Sequence, residues 1–139
     1  MTNTDSLAAT TPPKLSRLID ANLNRLKEGI RVVEDICRFV DDDKKTAYEL
    51  KALRHSARVE NYESFLKHRD IMGDVLKSST ESELLRTDIS SVTLSNIKRA
   101  QESARVLEEC LKLISTDNSE TFKSIRYKLY DIEKRLLGS

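Results

Sequence analysis

The chain has 139 residues, of which 34% are charged, and its 24 Lys and Arg residues nearly balance 23 Asp and Glu. A chain of this length suits one domain whose core is large enough to need no disulfide or structural metal. The near-neutral charge gives no general field to hold nucleic acid by its phosphates, although a local basic cluster could still bind a small anion. With only three Gly and two Pro residues for tight turns, the composition predicts an all-α protein.

Cysteine usage and hydropathy predict the cellular setting. Cys37 and Cys110 lie among apolar neighbours and lack the companion ligands of a zinc or redox site, so they are interpreted as buried thiols in a reducing compartment. The sequence shows neither a secretory signal nor a run of roughly 20 apolar residues that would span a bilayer. No membrane association is expected, and the predicted location is the cytoplasm.

The chain is expected to begin with an arm and continue as one helical domain. Residues 1–13 are rich in Thr, Ser and Asn and end in a Pro-Pro pair, which predicts a disordered N-terminal arm. Residues 14–139 are predicted to form the single helical domain.

The first half of the domain is predicted to be a helical hairpin at 14–67. Apolar residues recur at threes and fours, which predicts one helix at 14–40 and a second at 44–67. The short acidic loop between them implies that the helices are antiparallel, and Asp43 is expected to cap the second helix.

The second half is predicted to repeat this arrangement after a break. Periodicity fails over 68–90, which predicts a non-helical connector, and it resumes as a third helix at 91–114 and a fourth at 119–137. The expected architecture is therefore an all-α helical bundle of two sequence-related antiparallel hairpins, the second spanning 91–137.

An internal repeat is the strongest single feature of the sequence. Residues 22–34 and 96–108 share the pattern N-x-x-R-x-x-E-x-x-R-V-x-E. A shorter similarity relates 50–54 to 122–126 at nearly the same offset, which indicates that a whole hairpin is duplicated. Two like hairpins predict a pseudo-symmetric bundle.

Each copy of the repeat places an Asn and an Arg beside its apolar face. On a helical wheel Asn22 and Asn96 point into the packed side, with Arg25 and Arg99 flanking them. Burying an amide and a guanidinium is costly unless both are paired. The pairs are therefore interpreted either as a structural network that sets helix register or as the lining of a wet cleft.

Other repeated positions allow a structural and a functional interpretation. Gly29 and its counterpart Ser103 favour close helix packing, with room for a ligand as the alternative. The remaining charges are expected to form solvated faces, although Glu28 and Glu102 lie near the apolar boundary and could meet a bound group. These charged residues are Glu28, Arg31, Glu34, Asp35, Arg38, Glu102, Arg105, Glu108 and Glu109.

The connector carries a dense group of chemically active side chains. Arg69, Asp70, Gly73 and Asp74 lie within six residues of one another. Carboxylates of this kind can hold Mg²⁺ or accept a proton, and Arg supplies forked donors to phosphate. The alternative interpretation is an ordinary polar turn.

Together these motifs resemble the small helical hydroxymethylpyrimidine-phosphate kinase family of thiamine biosynthesis, which also occurs fused in front of thiamine-phosphate synthase. The resemblance covers about residues 15–113. It implies ATP-dependent phosphorylation of 4-amino-5-hydroxymethyl-2-methylpyrimidine phosphate to the diphosphate, by a standalone all-helical homodimer. The runs that carry it are 19–25, 28–35, 53–55, 69–70, 73–74, 96–102 and 105–109.

The resemblance also implies roles for individual residues, with ATP and Mg²⁺ as cofactors. Asp70, Asp74, Arg69 and Glu102 are the implied catalytic group, and Asp70 and Asp74 are the implied metal ligands. The connector departs from the family pattern at Ile71, where Thr is usual, and at Leu76, where a second Gly often follows. The implied substrate and phosphate ligands are Asn22, Arg25, Glu28, Arg31, Arg54, Asn96, Arg99 and Arg105.

Two other classes of function stay open at this point. One is a non-catalytic helical module that associates with thiamine-phosphate synthase. The other is a structural dimer whose buried polar residues fix helix register.

Overall fold

The computed structural model describes residues 11–138, apart from the side chain of Ser82. The regular secondary structure of these residues is helical and contains no strand, which confirms the all-α prediction. The predicted disordered arm at 1–13 lies largely outside the described residues. Within its last residues, Thr11 is buried and Pro13 already begins the first helix.

Helix α1 (Pro13–Asp35) begins with proline, whose missing N–H and fixed φ suit the first helical position. It continues into a π-helical turn, Ile36–Val40. The prediction of one regular helix at 14–40 is therefore wrong in its last turn. The wider turn rotates Val40 away from the buried stripe and leaves it 56% exposed.

Helix α2 (Lys44–Ser56) starts at the predicted cap. The backbone N–H of Thr46 donates to Asp43 Oδ1 at 3.1 Å, which confirms the expectation for this residue. The same hydrogen bond lowers the pKa of the Asp43 carboxyl from its ordinary value.

The predicted single helix at 44–67 is wrong, because α2 stops early and a separate helix α3 (Tyr62–Leu66) follows. Asn61 introduces α3 in the left-handed conformation, with φ at 56°. Val59 and Phe65 are both buried, although in one continuous helix they would face different sides. The break therefore allows both side chains to reach the core.

In the second half each long helix begins at a side-chain cap that precedes the predicted start. Asp88 Oδ1 accepts from the Ser91 N–H at 2.8 Å, and Ser115 Oγ accepts from the Asn118 N–H at 3.3 Å. Both helices therefore start earlier than predicted, and the connector holds one short helix. These helices are α4 (Glu81–Leu84), α5 (Ile89–Leu111) and α6 (Thr116–Leu137).

The core forms around the contact between α1 and α5, with α2 and α3 packed on α1 and α6 packed on α5. A Cβ at Gly29 would lie 2.8 Å from the carbonyl oxygen of Asn96 and 3.2 Å from the Cβ of Ala100. Gly29 therefore permits close helix approach, which confirms the packing interpretation. Fully buried side chains of this core include Ile19, Leu26, Ile30, Val33, Leu50, Ile97, Leu107, Phe122 and Leu129.

The internal repeat reappears as two buried ion pairs. Arg54 donates to both carboxylate oxygens of Glu34, at 2.7 and 3.2 Å, and Arg126 donates twice to Glu108 Oε1, at 3.1 and 2.9 Å. The two glutamates are 3% and 4% exposed, so the expectation that they belong to solvated faces is wrong. Each pair joins the first and second long helices of one half.

The burial of the two cysteines and the character of the helices relate to the predicted cellular setting. Cys37 is fully buried, and burial raises the pKa of its thiol to about 11. Cys110 is partly buried, and both thiols are free. Over residues 11–138, no helix combines the length and apolar character needed to cross a membrane.

Candidate functional site

A cleft of about 760 Å³ lies between the N-terminal half of α1 and the beginning of the connector. The two segments are far apart in sequence and bring together polar side chains that the repeat and the connector motif singled out separately. The predicted site residues that line the cleft are Asn22, Arg25, Arg69, Asp70 and Asp74.

The connector is fastened to α1 by Asp20, which is 1% exposed. Arg69 donates to its two carboxylate oxygens from Nε at 2.7 Å and from Nη2 at 2.8 Å. The Tyr62 hydroxyl donates to the same carboxylate at 3.1 Å, and Asn24 Nδ2 does so at 3.4 Å. The hydrogen bond with Asp20 raises the pKa of Arg69 further above its ordinary value. This set is called the Asp20 cluster below and comprises Asp20, Asn24, Tyr62 and Arg69.

A second hydrogen bond to α1 and two turns fix the conformation of the connector beside the Asp20 cluster. Arg17 Nη2 donates to the backbone carbonyl of Asp70 at 3.0 Å. The Asp70 carboxylate accepts from the Gly73 N–H at 2.9 Å, and a Cβ at Gly73 would collide with that carboxylate. Asp74 in turn accepts from the Leu76 N–H at 2.9 Å. The two carboxylates therefore stabilise turns while they line the cleft.

The charge of the cleft favours an anion. Arg69 and Asp20 neutralise each other, which leaves Lys14, Arg17, Arg25 and Lys77 against the exposed carboxylates of Asp70 and Asp74. Among the described residues, Lys14, Arg25 and Lys77 form no ion pair. Four cations against two carboxylates suit a phosphate or a similar group.

The two asparagines of the repeat are held by their own helices. Asn22 is 4% exposed and donates to the carbonyl of Leu18 at 3.0 Å, while the partly buried Asn96 donates to the carbonyl of Val92 at 2.8 Å. Arg25 and Arg99, which were predicted to flank the asparagines at the edge of the apolar face, are both exposed. An arginine at the edge of a helix face can turn outward, and only Arg25 of the two lines this cleft.

The remaining predicted site residues lie elsewhere. Glu28 is exposed, and Arg31 pairs with Asp35 at 3.2 Å. Arg54 is engaged with Glu34 as described above. Glu102 and Arg105 line a different depression on α5, where Arg105 also pairs with Glu109 at 2.9 Å. Ligand roles for these residues stay predictions.

The implied Mg²⁺ site can be tested against the side chains present. No group of three or more His, Cys, Asp or Glu that could hold a metal ion occurs in the part of the chain that the structure describes. Mg²⁺ is usually bound through one or two carboxylates together with substrate phosphates and water. Asp70 and Asp74 fit that mode only with a phosphate ligand beside them, so Mg²⁺ and ATP stay predictions.

Sequence reasoning missed the residues that build this cleft around the predicted ones. Asp20 gives a usable signal, because the repeat has Leu94 at the matching position and the acidic residue lies next to the apolar stripe of α1. Arg17 has Ser91 as its counterpart, which is a weaker signal of the same kind. Lys77 lies in an aperiodic segment and gave no signal.

The fold and the cleft define a class: an all-helical protein with a duplicated hairpin sequence and a cationic cleft on its first half. The chain belongs to the ThiD2 family, whose model matches residues 17–135.

The chain is also similar to proteins named thiamine-phosphate synthase. The chain is 38% identical over 130 residues to a thiamine-phosphate synthase of Synechocystis sp., covering 93% of this chain and 38% of the relative. It is 37% identical to the thiamine-phosphate synthases of Thermosynechococcus vestitus and Nostoc sp., covering 88% of this chain and 35% of each relative. The chain thus spans little more than a third of these relatives. No solved structure matches the chain.

These relatives correct one prediction. The resemblance implied that the chain is a phosphotransferase, a phosphomethylpyrimidine kinase. The relatives that cover 88–93% of it carry the name of a synthase and not of a kinase, and the kinase assignment is therefore wrong. The ThiD2 family membership stands independently of that assignment.

Proposed function

We propose that this chain is a helical ligand-binding module of thiamine biosynthesis, which acts together with a thiamine-phosphate synthase and holds a phosphorylated pyrimidine in the cleft between α1 and the connector. Relatives named thiamine-phosphate synthase contain a region similar to nearly all of this chain within a much longer polypeptide. The occurrence of this region within proteins named as synthases supports an association of this chain with a synthase.

The cleft is the single observation that carries the ligand class. Its surplus of cations favours a phosphate, and Arg25 and Lys77 are available to pair with one. Hydrogen bonds that involve charged groups are stronger than neutral ones, so two or three of them can hold a small phosphate ester. The ligand proposed for the cleft is the pyrimidine phosphate that the sequence resemblance implies.

The first experiment is calorimetric titration of the full chain with 4-amino-5-hydroxymethyl-2-methylpyrimidine phosphate, with inorganic phosphate and with the unphosphorylated alcohol. We expect the phosphate ester to bind most tightly and the alcohol to bind at least about tenfold more weakly, because it forms no charge-assisted hydrogen bond. Equal affinity for ester and alcohol would contradict the phosphate site. Adding ATP and Mg²⁺ to the same titration tests the predicted cofactors.

Matched variants locate the site. Arg25→Ala is expected to weaken binding of the phosphate ester about tenfold or more, since one charge-assisted contact is lost. Arg58→Ala removes an exposed guanidinium outside the cleft lining and is expected to bind like the native chain. Arg99→Ala tests whether the ligand binds at one site or at two. Arg99 occupies the repeat position of Arg25 but does not line this cleft.

The association with a synthase is tested separately. The purified chain and a thiamine-phosphate synthase that lacks the matching region are mixed and analysed by sedimentation velocity, with and without the pyrimidine phosphate. A complex that forms supports the module. Failure to form one at micromolar concentrations would leave the cleft as a binding site and overturn the synthase partnership.

A further inference from the structure

The Asp20 cluster distinguishes the two halves of the molecule. Asp20 and Arg17, which tie the connector to α1, correspond to Leu94 and Ser91 in the repeat. Leu94 is 43% exposed and can accept no hydrogen bond from a guanidinium. The first half therefore has a buried carboxylate where the second half has a partly exposed leucine.

The hydrogen bonds of the Asp20 cluster hold the start of the connector against α1. Four donor hydrogens from Asn24, Tyr62 and Arg69 converge on one buried carboxylate, and Arg69 Nη2 also contacts the Tyr62 hydroxyl at 2.5 Å. The donors come from three places: α1 itself, α3 and the start of the connector. Asp20 thus joins elements that sequence separates by up to 49 residues.

The connector has little else to hold it. Ile71, Met72, Val75 and Leu76 are between 70% and 93% exposed, so this part of the chain buries almost no apolar surface. Its turns are internal and do not attach it to the helices. The ties to α1 among the described contacts of residues 69–77 are the Asp20–Arg69 pair and the bond from Arg17 to the Asp70 carbonyl.

We infer that Asp20 is the positioning residue of the cleft: it holds Arg69 and thereby keeps the connector, with Asp70, Asp74 and Lys77, against α1, so that a phosphate ester can bind in the cleft that these residues line together with Arg25. This inference rests on the proposed function for the identity of the ligand, but not for the mechanical role of Asp20. It also explains why the cleft forms on α1, whereas the corresponding face of α5 lacks the tie.

The test is Asp20→Asn, which keeps the size of the side chain and removes its charge. Amide hydrogen exchange of residues 69–77 is expected to become at least about tenfold faster than in the native chain, because loss of a charge-assisted anchor opens the segment. Exchange within α5 and α6 is expected to stay slow. Affinity for the pyrimidine phosphate is expected to fall at least about tenfold as well, because Lys77 is no longer held at the cleft that Arg25 also lines.

Glu34→Gln is the matched control, because it breaks the other buried carboxylate–arginine pair of α1 without touching the connector. It is expected to lower the free energy of unfolding of the whole chain. The amide exchange rate of residues 69–77, relative to that of the core, is expected to stay the same as in the native chain. Should Asp20→Asn fail to fold, Arg69→Lys tests the same interaction from the connector side. It keeps the positive charge but loses the bidentate hydrogen bonds to Asp20.

The outcomes separate the two proposals. Native exchange at 69–77 in folded Asp20→Asn and Arg69→Lys overturns the positioning role, as does an equal response in Glu34→Gln. A native chain that binds no phosphate ester, but whose connector still loosens in Asp20→Asn, overturns the proposed function and leaves the positioning role intact.

Discussion

At Gly29, helix α1 comes so close to α5 that the backbone carbonyl of Asn96 occupies the space of a side chain. At Asp43 a single carboxylate satisfies an N–H group that the start of α2 would otherwise leave unpaired. Gly29 lies against the backbone of Asn96, and Asp43 accepts a hydrogen bond from the backbone of Thr46. A substitution of a few atoms at either position therefore tests the corresponding contact.

The Gly29→Ala variant is expected to be destabilised by about 1–3 kcal/mol. The methyl group would overlap backbone, which cannot move as a flexible side chain can, and this outweighs the helix-propensity gain of about 1 kcal/mol. Urea unfolding measures the difference. Ser103→Ala, at the matching repeat position, is the control and adds no volume; a Gly29→Ala chain as stable as the native one would contradict the packing.

The Asp43→Ala variant is expected to lose about 1 kcal/mol of unfolding free energy at pH 7. The pKa of Asp43 is lower in the folded chain than in the unfolded one, so its stabilisation is fully present above the unfolded pKa. That stabilisation is lost as the pH falls through the folded pKa. Unfolding measured at pH 7 and at about pH 3 should therefore show a smaller difference from native at the lower pH. Asp41→Ala, which removes a neighbouring carboxylate without a cap bond, should show no such convergence.

At the scale of helices, the ion pairs Glu34–Arg54 and Glu108–Arg126 explain why the sequence repeats in two segments. In each half the glutamate comes from the first helix and the arginine from the second, so the two segments are the two sides of one contact. A buried pair of this kind contributes little net stability when it is intact, but removing one partner leaves a charge without compensation.

Arg126→Met and Arg54→Met are each expected to lower the unfolding free energy by about 3–5 kcal/mol. Arg126 should cost more, because its side chain is 11% exposed against 19% for Arg54. Thermal and urea unfolding provide the measurement. Arg31→Met breaks a half-exposed pair on α1 and should lower the unfolding free energy by less than about 1 kcal/mol. Losses below about 1 kcal/mol in all three variants would contradict the larger contribution expected of the two buried pairs.

At the scale of the whole molecule, residues 11–138 form two layers, with α2 and α6 packed against α1 and α5, and part of the surface of α1 and α5 is exposed. Helices α2 and α6 lie on the same side, since Arg135 of α6 pairs with Glu49 of α2 and a groove of about 990 Å³ runs between them. Three pairs of exposed charges are identical at matching positions of the two halves, whereas buried pairs such as Leu26 and Ala100 differ. These retained charges make this face the place to test the predicted homodimer. The identical exposed pairs are Arg25 with Arg99, Glu28 with Glu102, and Arg31 with Arg105.

The predicted homodimer can be tested on this face. Arg and Glu three residues apart are self-complementary when a second copy runs antiparallel, so light scattering after gel filtration is expected to give twice the 15.9 kDa of one chain. The double variant Val32→Glu and Val106→Glu is expected to be monomeric. Tyr48→Glu alters an exposed residue of the α2 layer and should stay dimeric. A native mass of one chain at micromolar concentration would contradict the prediction.

The sequence by itself determined the all-α class, the duplication, the cap at Asp43 and the inward direction of Asn22, because helical periodicity and capping depend on neighbours within about one turn. The tertiary structure alone decided the break before Asn61, the burial of Glu34 against Arg54 and the tie between Asp20 and Arg69. These partners are 20 and 49 residues apart, and the free energy of pairing a buried carboxylate depends on which distant guanidinium the fold delivers to it. A local sequence pattern does not indicate which distant residue will pair with a given side chain. The cleft could therefore be predicted as two separate motifs and not as one site.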